Sequence, residues 1–503
     1  MEIEFKFQVP SERLEAVQSD LRSAKVTPIR MQALYFDTAD GALTARGVVL
    51  RLRKEGRRWV QTAKAPGTGP LHRLEHEVEL DAAQAAAPQP DAGRHAGSPV
   101  GKLLDELLDG GKAELVEKYA TDIRRLVRQE RFGDSTIELA LDVGEVVAKA
   151  QRGRPRRSDP VCELELELVE GSVQDLVALA RRWSERHHLW FSTLSKDARG
   201  KRLLAPPEDA VAVKAAPTQY PAGKLTGVEV QRAVAAACLA QILPNATEVA
   251  AGSKDPDVVH QLRVGIRRLR TALRELGALA LDAGSFDAAW EAPLVDAFRA
   301  LGASRDRELL QTTVQPRLRE AGAPPIEVPE DEANDVSVGA AVRSPSFQSV
   351  LVSLIGFTAP GDEKSTDGAD AGATTRTLAK RLNKLHRQVV RGGKRFEALA
   401  PDEQHGVRKR LKRLRYLAEF VAPLFGNRKA MRYIAELTPA QDALGEFNDA
   451  LVAIEAYRAA AAHDPHAWFA VGWLIASQPE RMRDCTKALA KIGKVRGFWK
   501  KKD

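Results

Sequence analysis

From Glu163 to Leu168 the chain reads Glu-Leu-Glu-Leu-Glu-Leu, a strict alternation of charge and apolar bulk. An extended strand sends successive side chains to opposite faces, so this segment puts three carboxylates on one face and three leucines on the other. The same period of two recurs in Glu2-Ile3-Glu4-Phe5-Lys6-Phe7, in Leu50-Arg51-Leu52-Arg53 and in Arg73-Leu74-Glu75-His76-Glu77-Val78-Glu79-Leu80. A helix scatters such a pattern around its axis, so the first 200 residues are expected to be mainly sheet. Further strands are expected at 31–37, 57–64, 119–131, 135–142 and 145–151. Helices are expected near 10–24, 99–109 and 172–188, and a loop over 82–98.

The period changes after Leu204. A Pro-rich stretch without regular pattern leads into Ala-, Leu- and Arg-rich sequence of helical period to the end. The expected class is α+β: an antiparallel sheet domain at 1–203, a linker at 204–225 and an all-α bundle at 226–500. Two weakly patterned stretches, 321–345 and 358–375, read as a mobile loop. With 503 residues a single core is excluded. No uncharged apolar run approaches the ~20 residues of a membrane helix, and the acidic start is unlike a secretion signal. The cytoplasm is the expected location. Cys162, Cys238 and Cys485 are too far apart in sequence to suggest a disulfide framework or a zinc site. Residues 1–200 hold 31 Lys and Arg against 32 Asp and Glu, and the remainder 45 against 36. The net charge of +8 therefore belongs to the helical half, which points to an anionic partner there.

On a strand, same-face neighbours are about 6.5–7 Å apart. Glu2, Glu4 and Lys6 share one face, as do Glu163, Glu165 and Glu167; Arg51 with Arg53, Lys64 after Thr62, and Lys196 with Arg199 add cationic clusters. If these faces converge in a closed barrel, carboxylates and cations line its interior. That combination suits a polyanion with metal, since Mg²⁺ takes one or two carboxylates plus phosphate oxygens while cations neutralise the remaining charge. The sequence displays neither a Ser/His/Asp or Cys/His nucleophile group nor a Gly-rich P-loop, in keeping with direct attack by water.

Eight landmarks in order resemble the CYTH family, also called triphosphate tunnel metalloenzymes. They are Glu2-x-Glu4-x-Lys6, Tyr35-Phe36-Asp37-Thr38, Leu50-Arg51-Leu52-Arg53, Trp59-Val60-Gln61-Thr62-Ala63-Lys64, Arg73-Leu74-Glu75-His76-Glu77, Asp142-Val143-Gly144, Glu163–Glu167 and Ser195-Lys196-Asp197-Ala198-Arg199-Gly200. The resemblance implies an eight-stranded antiparallel tunnel with Glu2, Glu4 and Lys6 as its catalytic signature. It implies divalent metal, Mg²⁺ or Mn²⁺, on Glu2, Glu4 and glutamates drawn from Glu163, Glu165 and Glu167, with Asp142 as helper. It implies phosphate contacts from Lys6, Arg51, Arg53, Lys64, Lys196, Arg199 and Arg125, the last with Arg124 as an alternative. Glu75 and Glu77 match family positions with lumen ion pairs and metal binding equally open.

The helical half contains a repeat. His260-x-x-Arg263-x-x-x-Arg267-Arg268-Leu269-Arg270 corresponds to His405-x-x-Arg408-Lys409-x-x-Lys412-Arg413-Leu414-Arg415. Each is followed at nearly the same distance by Leu301-Gly302-x-x-Arg305-Asp306 or Leu444-Gly445-x-x-Asn448-Asp449. Helical spacing puts each basic row on one face, and two rows meeting about a pseudo-twofold axis would make a pocket. The repeat resembles the CHAD domain, over about 226–500. That resemblance implies inorganic polyphosphate bound by His260, Arg263, Arg267, Arg270, His405, Arg408, Lys409, Lys412 and Arg415. Gly265 and Gly406 stand inside these helices at a cost in helix propensity.

Together the readings predict a metal-dependent triphosphatase, with inorganic tripolyphosphate as first substrate, tethered to a polyphosphate-binding module. The alternatives are an adenylate cyclase or thiamine triphosphatase using the same tunnel, or a non-catalytic polyphosphate or RNA binder. The basic rows carry little aromatic residue for base stacking apart from Tyr416, which argues against nucleic acid.

Overall fold

The computed structural model describes residues 4–22, 28–56, 58–66, 73–80, 88–148, 155–205, 211–223, 225–280, 285–326, 338–359 and 371–500. They divide into two compact units, Met1–Ala210 with Arg343–Gly356, and Val211–Val342 with Phe357–Asp503.

The first unit is built on β1 (Glu4–Gln8), β2 (Ile29–Thr38), β3 (Val49–Glu55), β4 (Arg58–Pro66), β5 (Arg73–Leu80), β6 (Leu115–Phe132), β7 (Ser135–Ala148), β8 (Arg157–Glu170) and the two-residue β9 (Trp190–Phe191). They form one antiparallel sheet in the order β5-β4-β3-β2-β6-β7-β8-β1-β9. The eight expected strands are thus extended by a short ninth, and no ladder joins β5 to β9 among the described residues. The two strands expected at 135–142 and 145–151 are one strand. Val143 and Gly144 pair on both sides, with Arg124 and Ile123 on β6 and with Cys162 and Val161 on β8, so Gly144 sits inside the ladder instead of turning the chain.

Helices cover the sheet's apolar face. These are α1 (Leu14–Leu21), α2 (Ala42–Ala45), α3 (Pro99–Leu107) and α4 (Val173–His187), while α5 (Lys196–Leu204) packs on the charged face against β6, β7 and β8. Serines 98, 172 and 195 cap α3, α4 and α5, each hydroxyl accepting from a backbone N–H three residues on. Phe5, Phe7, Leu139, Leu141, Leu164 and Leu166 pack with Val17, Leu21, Leu176, Leu179 and Trp183. Leu50, Ala63 and Ala65 pack with Val100, Leu104 and Leu108. Covering this face leaves the charged residues together on the other side of the sheet. The stretch 343–356 belongs to this unit although it lies in the helical half of the sequence. Val352 joins the first of these cores, and the Gln348 side chain accepts from the Phe191 N–H at 2.8 Å.

The second unit continues with α6 (Gly227–Ala250), α7 (Pro256–Leu276), α8 (Glu291–Leu309), α9 (Gln315–Glu320), α10 (Val338–Arg343), α11 (Pro345–Thr358, mostly in the first unit), α12 (Ala371–Gly393), α13 (Pro401–Phe425), α14 (Asn427–Ala460) and α15 (Ala467–Ile492). The α10 helix and the start of α12 occupy part of what reads as loop, while 327–337 and 360–370 lie outside the described residues. In the stretch read as linker, 211–223 has no regular structure but is held: Asn245 bonds both backbone groups of Val213, at 3.1 and 2.8 Å, and the Tyr220 hydroxyl donates to the Phe420 carbonyl at 2.9 Å. Gly265 is required where α7 crosses α6, since a methyl there would come within 2.7 Å of Ile242 Cγ1. Nothing in the structure explains Gly406. Among the described residues one helix, α6, is long and apolar enough to cross a membrane, and 61% of its most apolar window is buried inside the protein. Cys162, Cys238 and Cys485 are free thiols.

Candidate functional site

Directly opposed residues of an antiparallel ladder share a face, so the register assigns every charged candidate. Lys6 opposes Glu165 and Glu4 opposes Glu167; Asp142 opposes both Glu163 and Arg125. Across β2, whose Tyr35 opposes both Tyr119 and Arg51, the same face continues to Arg51, Thr62 and Glu77, and to Lys64 and Glu75. Residues called from eight separate stretches of sequence therefore occupy one face of one sheet.

Its densest point is a buried carboxylate group. Oxygens of Asp142, Glu163 and Glu165 lie within 4.8 Å of one another, and Asp142 and Glu163 are almost wholly buried. Lys196, at the first turn of α5, reaches Asp142 at 2.8 Å and Glu165 at 3.2 Å and also bonds Glu163. Arg125 grips Asp142 through Nε and a terminal nitrogen, and Glu165 through that nitrogen, all at 2.6 Å. Burial disfavours ionisation of Glu165, but Lys196, Arg125 and Lys6 outweigh it and hold its carboxyl well below the usual range. Burial works against a charge on Lys196 as well, yet Glu165, Glu163 and Asp142 raise its pKa. Lys6 is lowered, by burial first and then by the neighbouring Lys196, against the pull of Glu163.

Farther along the face, Glu77 receives the Thr62 hydroxyl at 2.9 Å and stands 3.8 and 3.6 Å from Arg51 and Arg53; Lys64 bonds Glu75 at 2.7 Å. Glu75 and Glu77 thus stand in ion pairs with the cations they accompany. Arg125, not the exposed Arg124, is the inward residue. Arg199 is brought beside the carboxylates but bonds Gln8 at 3.0 Å and Asp159 at 2.9 Å, while Gln8 donates to Glu163 at 3.3 Å. Glu4 and Glu167 sit one same-face step along the ladder from Lys6 and Glu165, outside the three-carboxylate group. Glu2 lies outside the described residues. Gln8 extends the Glu4–Lys6 row by one step and was open to the same period-two argument. Asp159 and Tyr119 carried no such signal.

In the second unit the two basic rows lie on α7 and α13, which pack together through crossed ion pairs: Arg268 with Glu419, and Arg413 with Glu275 at 3.2 Å. Arg263, Arg267 and Arg270 stack over Phe298 at 4.6, 5.2 and 5.7 Å. Lys412 is pushed down to about 6 by burial and by Arg267 and Arg408, with Asp449 opposing. Arg408 is lowered by burial while Asp449 pulls the other way, and its Nε is buried with no hydrogen-bond partner among the described residues. His405 bonds Asn448 at 3.2 Å, and its pKa falls through burial and Lys409. Arg270 and Arg415 are engaged elsewhere, with Glu291 at 3.0 Å and with Glu419 and Gln441 at 2.8 and 2.7 Å. Arg263, Arg267, Arg408 and Lys412 are the cations that converge. His260 is half-buried on α7 and Lys409 is exposed on α13. The side chains of Arg305 and Asp306 lie outside the described residues.

An inward-facing carboxylate–cation sheet followed by a helical repeat with paired basic rows defines the class of chain. Residues 1–200 match the CYTH domain and residues 233–458 the CHAD domain, so the chain belongs to the proteins that join a CYTH domain to a CHAD domain. An inorganic triphosphatase of Haemophilus influenzae is 28% identical over 188 residues, 36% of this chain and 49% of that protein. The chain thus spans about half the length of the relative it matches. Among solved structures, the CHAD domain from the plant Ricinus communis is 24% identical with a TM-score of 0.46, covering 57% of this chain and 98% of that one. A Hippeastrum protein classed with adenylyl cyclases, and described as revealing a dominant triphosphatase activity, is 20% identical with a TM-score of 0.30, covering 41% and 98%.

Proposed function

We propose that the charged face of the first unit hydrolyses a triphosphate, inorganic tripolyphosphate before others, with a divalent cation, and that the α7–α13 cleft binds inorganic polyphosphate. The observation that carries the first part is the convergence of Lys6, Arg125 and Lys196 on Asp142, Glu163 and Glu165. Three hard oxygen donors so close together suit Mg²⁺ or Mn²⁺, and these three residues would hold the ion. When bound, such an ion polarises phosphate oxygens and makes water a better nucleophile. Lys6, Arg125 and Lys196 neutralise charge on the reacting phosphate, and Arg51, Arg53 and Lys64 grip the remainder of the chain along the face. Water is the attacking group.

For the second unit, the support is a cluster of cations short of counter-charge. Burial and mutual repulsion depress Lys412 and Arg408, which an anionic polymer would relieve. Tethering would raise the local concentration of phosphate chains near the hydrolytic face.

The test is phosphate release from tripolyphosphate, ATP and thiamine triphosphate with Mg²⁺, with Mn²⁺ and with EDTA, alongside an assay for cyclic AMP. Metal-dependent release greatest with tripolyphosphate supports the reading. Preference for thiamine triphosphate, or cyclic AMP from ATP, would replace the substrate, and no turnover of any would leave a phosphate-polymer binder.

A further inference from the structure

Lys196 and Arg199 are delivered to the charged face by α5, a helix of nine residues. So short a helix has little stability of its own, and its depth and rotation are set by what it touches. It packs against β6, β7 and β8, and two of its close contacts on β6 are to Tyr119. The Tyr119 hydroxyl donates to the Asp197 carboxylate, which also pairs with Lys201 at 2.8 Å. Burial first, and then Asp197, hold the phenol protonated, so the donor is permanent. The Tyr119 ring lies directly against Gly200: a methyl there would come within 2.2 Å of Cδ2 and 2.3 Å of Cε2. Glycine is what lets the helix approach this closely. Tyr119 also stacks on Tyr35, with ring centroids 4.8 Å apart, and Tyr35 stands directly opposite Arg51 in the β2–β3 ladder. A cavity of about 270 Å³ beside the pair, lined in part by Asp37, Thr44 and Lys201, gives α5 room to shift once the contacts weaken.

We infer that Tyr119 is a positioning residue for phosphate binding. Its bond to Asp197 and its ring contact with Gly200 hold α5 at the depth that places Lys196 among Asp142, Glu163 and Glu165. Through the stack on Tyr35, the same aromatic pair steadies Arg51, so cations on α5 and β3 are aligned by one support. This inference rests on the triphosphatase reading of the face, but it makes a separate claim about α5.

The test uses the full chain with Tyr119→Phe, which keeps the ring and removes one hydrogen bond. Amide hydrogen exchange of α5 is expected to quicken in the variant while that of α4 is unchanged. The KM for tripolyphosphate is expected to rise about tenfold or more, the scale for losing one hydrogen bond to a charged group, with kcat nearly preserved. Because Tyr119 acts mainly through Lys196, the effect should be clearly smaller in a Lys196→Gln background, where a general loss of stability would persist in full. Equal effects in both backgrounds, or unaltered exchange in α5, overturn the inference. A wild-type chain that releases no phosphate sinks the triphosphatase reading instead, and the exchange comparison still decides the role of Tyr119. Gly200→Ala, pushing the helix off the ring, should raise KM further.

Discussion

Arg125 holds Asp142 in a two-pronged bond across the β6–β7 pair, with both N–O distances 2.6 Å. The same carboxylate faces Glu163 on β8 and receives Lys196 from α5, so it is the joint between the acidic and basic parts of the face. Asp142→Asn keeps the shape and removes the charge. Mn²⁺ affinity, measured by calorimetry without substrate, is expected to fall at least as far as the ~10–100-fold seen when a metal ligand loses its supporting partner. Unchanged affinity would remove Asp142 from the metal set.

Glu165 faces Lys6 and bonds both Lys196 and Arg125. With Glu165→Gln, turnover of tripolyphosphate should drop about 10²–10³-fold, the scale for losing one preorganised charge contact in an active site. Its carboxyl is held below the usual range, so lowering the pH toward that range should leave this group ionised. Any acid loss of activity above the ordinary carboxylate pKa then belongs to another residue. A wild-type rate from Glu165→Gln at saturating metal would contradict the assignment.

EDTA should abolish phosphate release from the first unit while leaving polyphosphate binding by the second intact, because Lys412 is surrounded mainly by the cations Arg267, Arg408 and Arg263, with Asp449 the acid that acts on it. Filter retention of labelled polyphosphate with and without chelator reads this directly. Loss of both together would mean the second unit also depends on metal.

Lys412 has a pKa of about 6 in the free protein, and a bound polyanion would raise it. Binding therefore takes up a proton at pH above 6, and affinity should decline as pH climbs from 6 through the bound pKa. Below 6 this residue is already charged and contributes no slope. Stability runs the opposite way for the free protein: between pH 6 and 10.5 the unfolded lysine is protonated where the folded one is not, so the destabilisation from Lys412 is full below 6 and fades as pH climbs. Lys412→Met should flatten the affinity profile, with proton uptake read by calorimetry in buffers of different ionisation enthalpy. A slope unaltered by that change would acquit Lys412.

Glu275 is 5% exposed and lies between Arg381 at 2.9 Å and Arg413 at 3.2 Å. Replacing it with Gln leaves two arginines without their acid. Full burial of all three would cost about 3–5 kcal/mol, and partial exposure of both arginines reduces the expectation to about 1–3 kcal/mol. Urea unfolding at neutral pH measures it, and high salt should narrow the difference from wild type.

Much of this was legible in advance because it is local. Alternation in Glu163–Leu168 announces which glutamates share a face whatever they later meet, and the repeated His-x-x-Arg rows announce two basic helix faces. What was not legible depended on contacts made elsewhere. The break expected near Gly144 disappeared because both neighbouring strands pair through it. Arg270 and Arg415 look equivalent to Arg263 and Arg408 in sequence, but Glu291, Glu419 and Gln441 draw them into other bonds. Arg199 matches a phosphate contact by motif, yet Gln8 and Asp159 hold it.

Periodicity thus decided the two classes of structure, the inward face of each strand and the basic face of each repeated helix, since strand and helix geometry act over a few residues. Which charges meet was decided by strand register and by the docking of α5. Tyr119 and Asp197 are 78 positions apart, and Lys196 and Glu163 are 33. No local pattern encodes such pairs, because they exist only once the strands have taken their order and register in the sheet and the apolar faces have chosen where the helices lie.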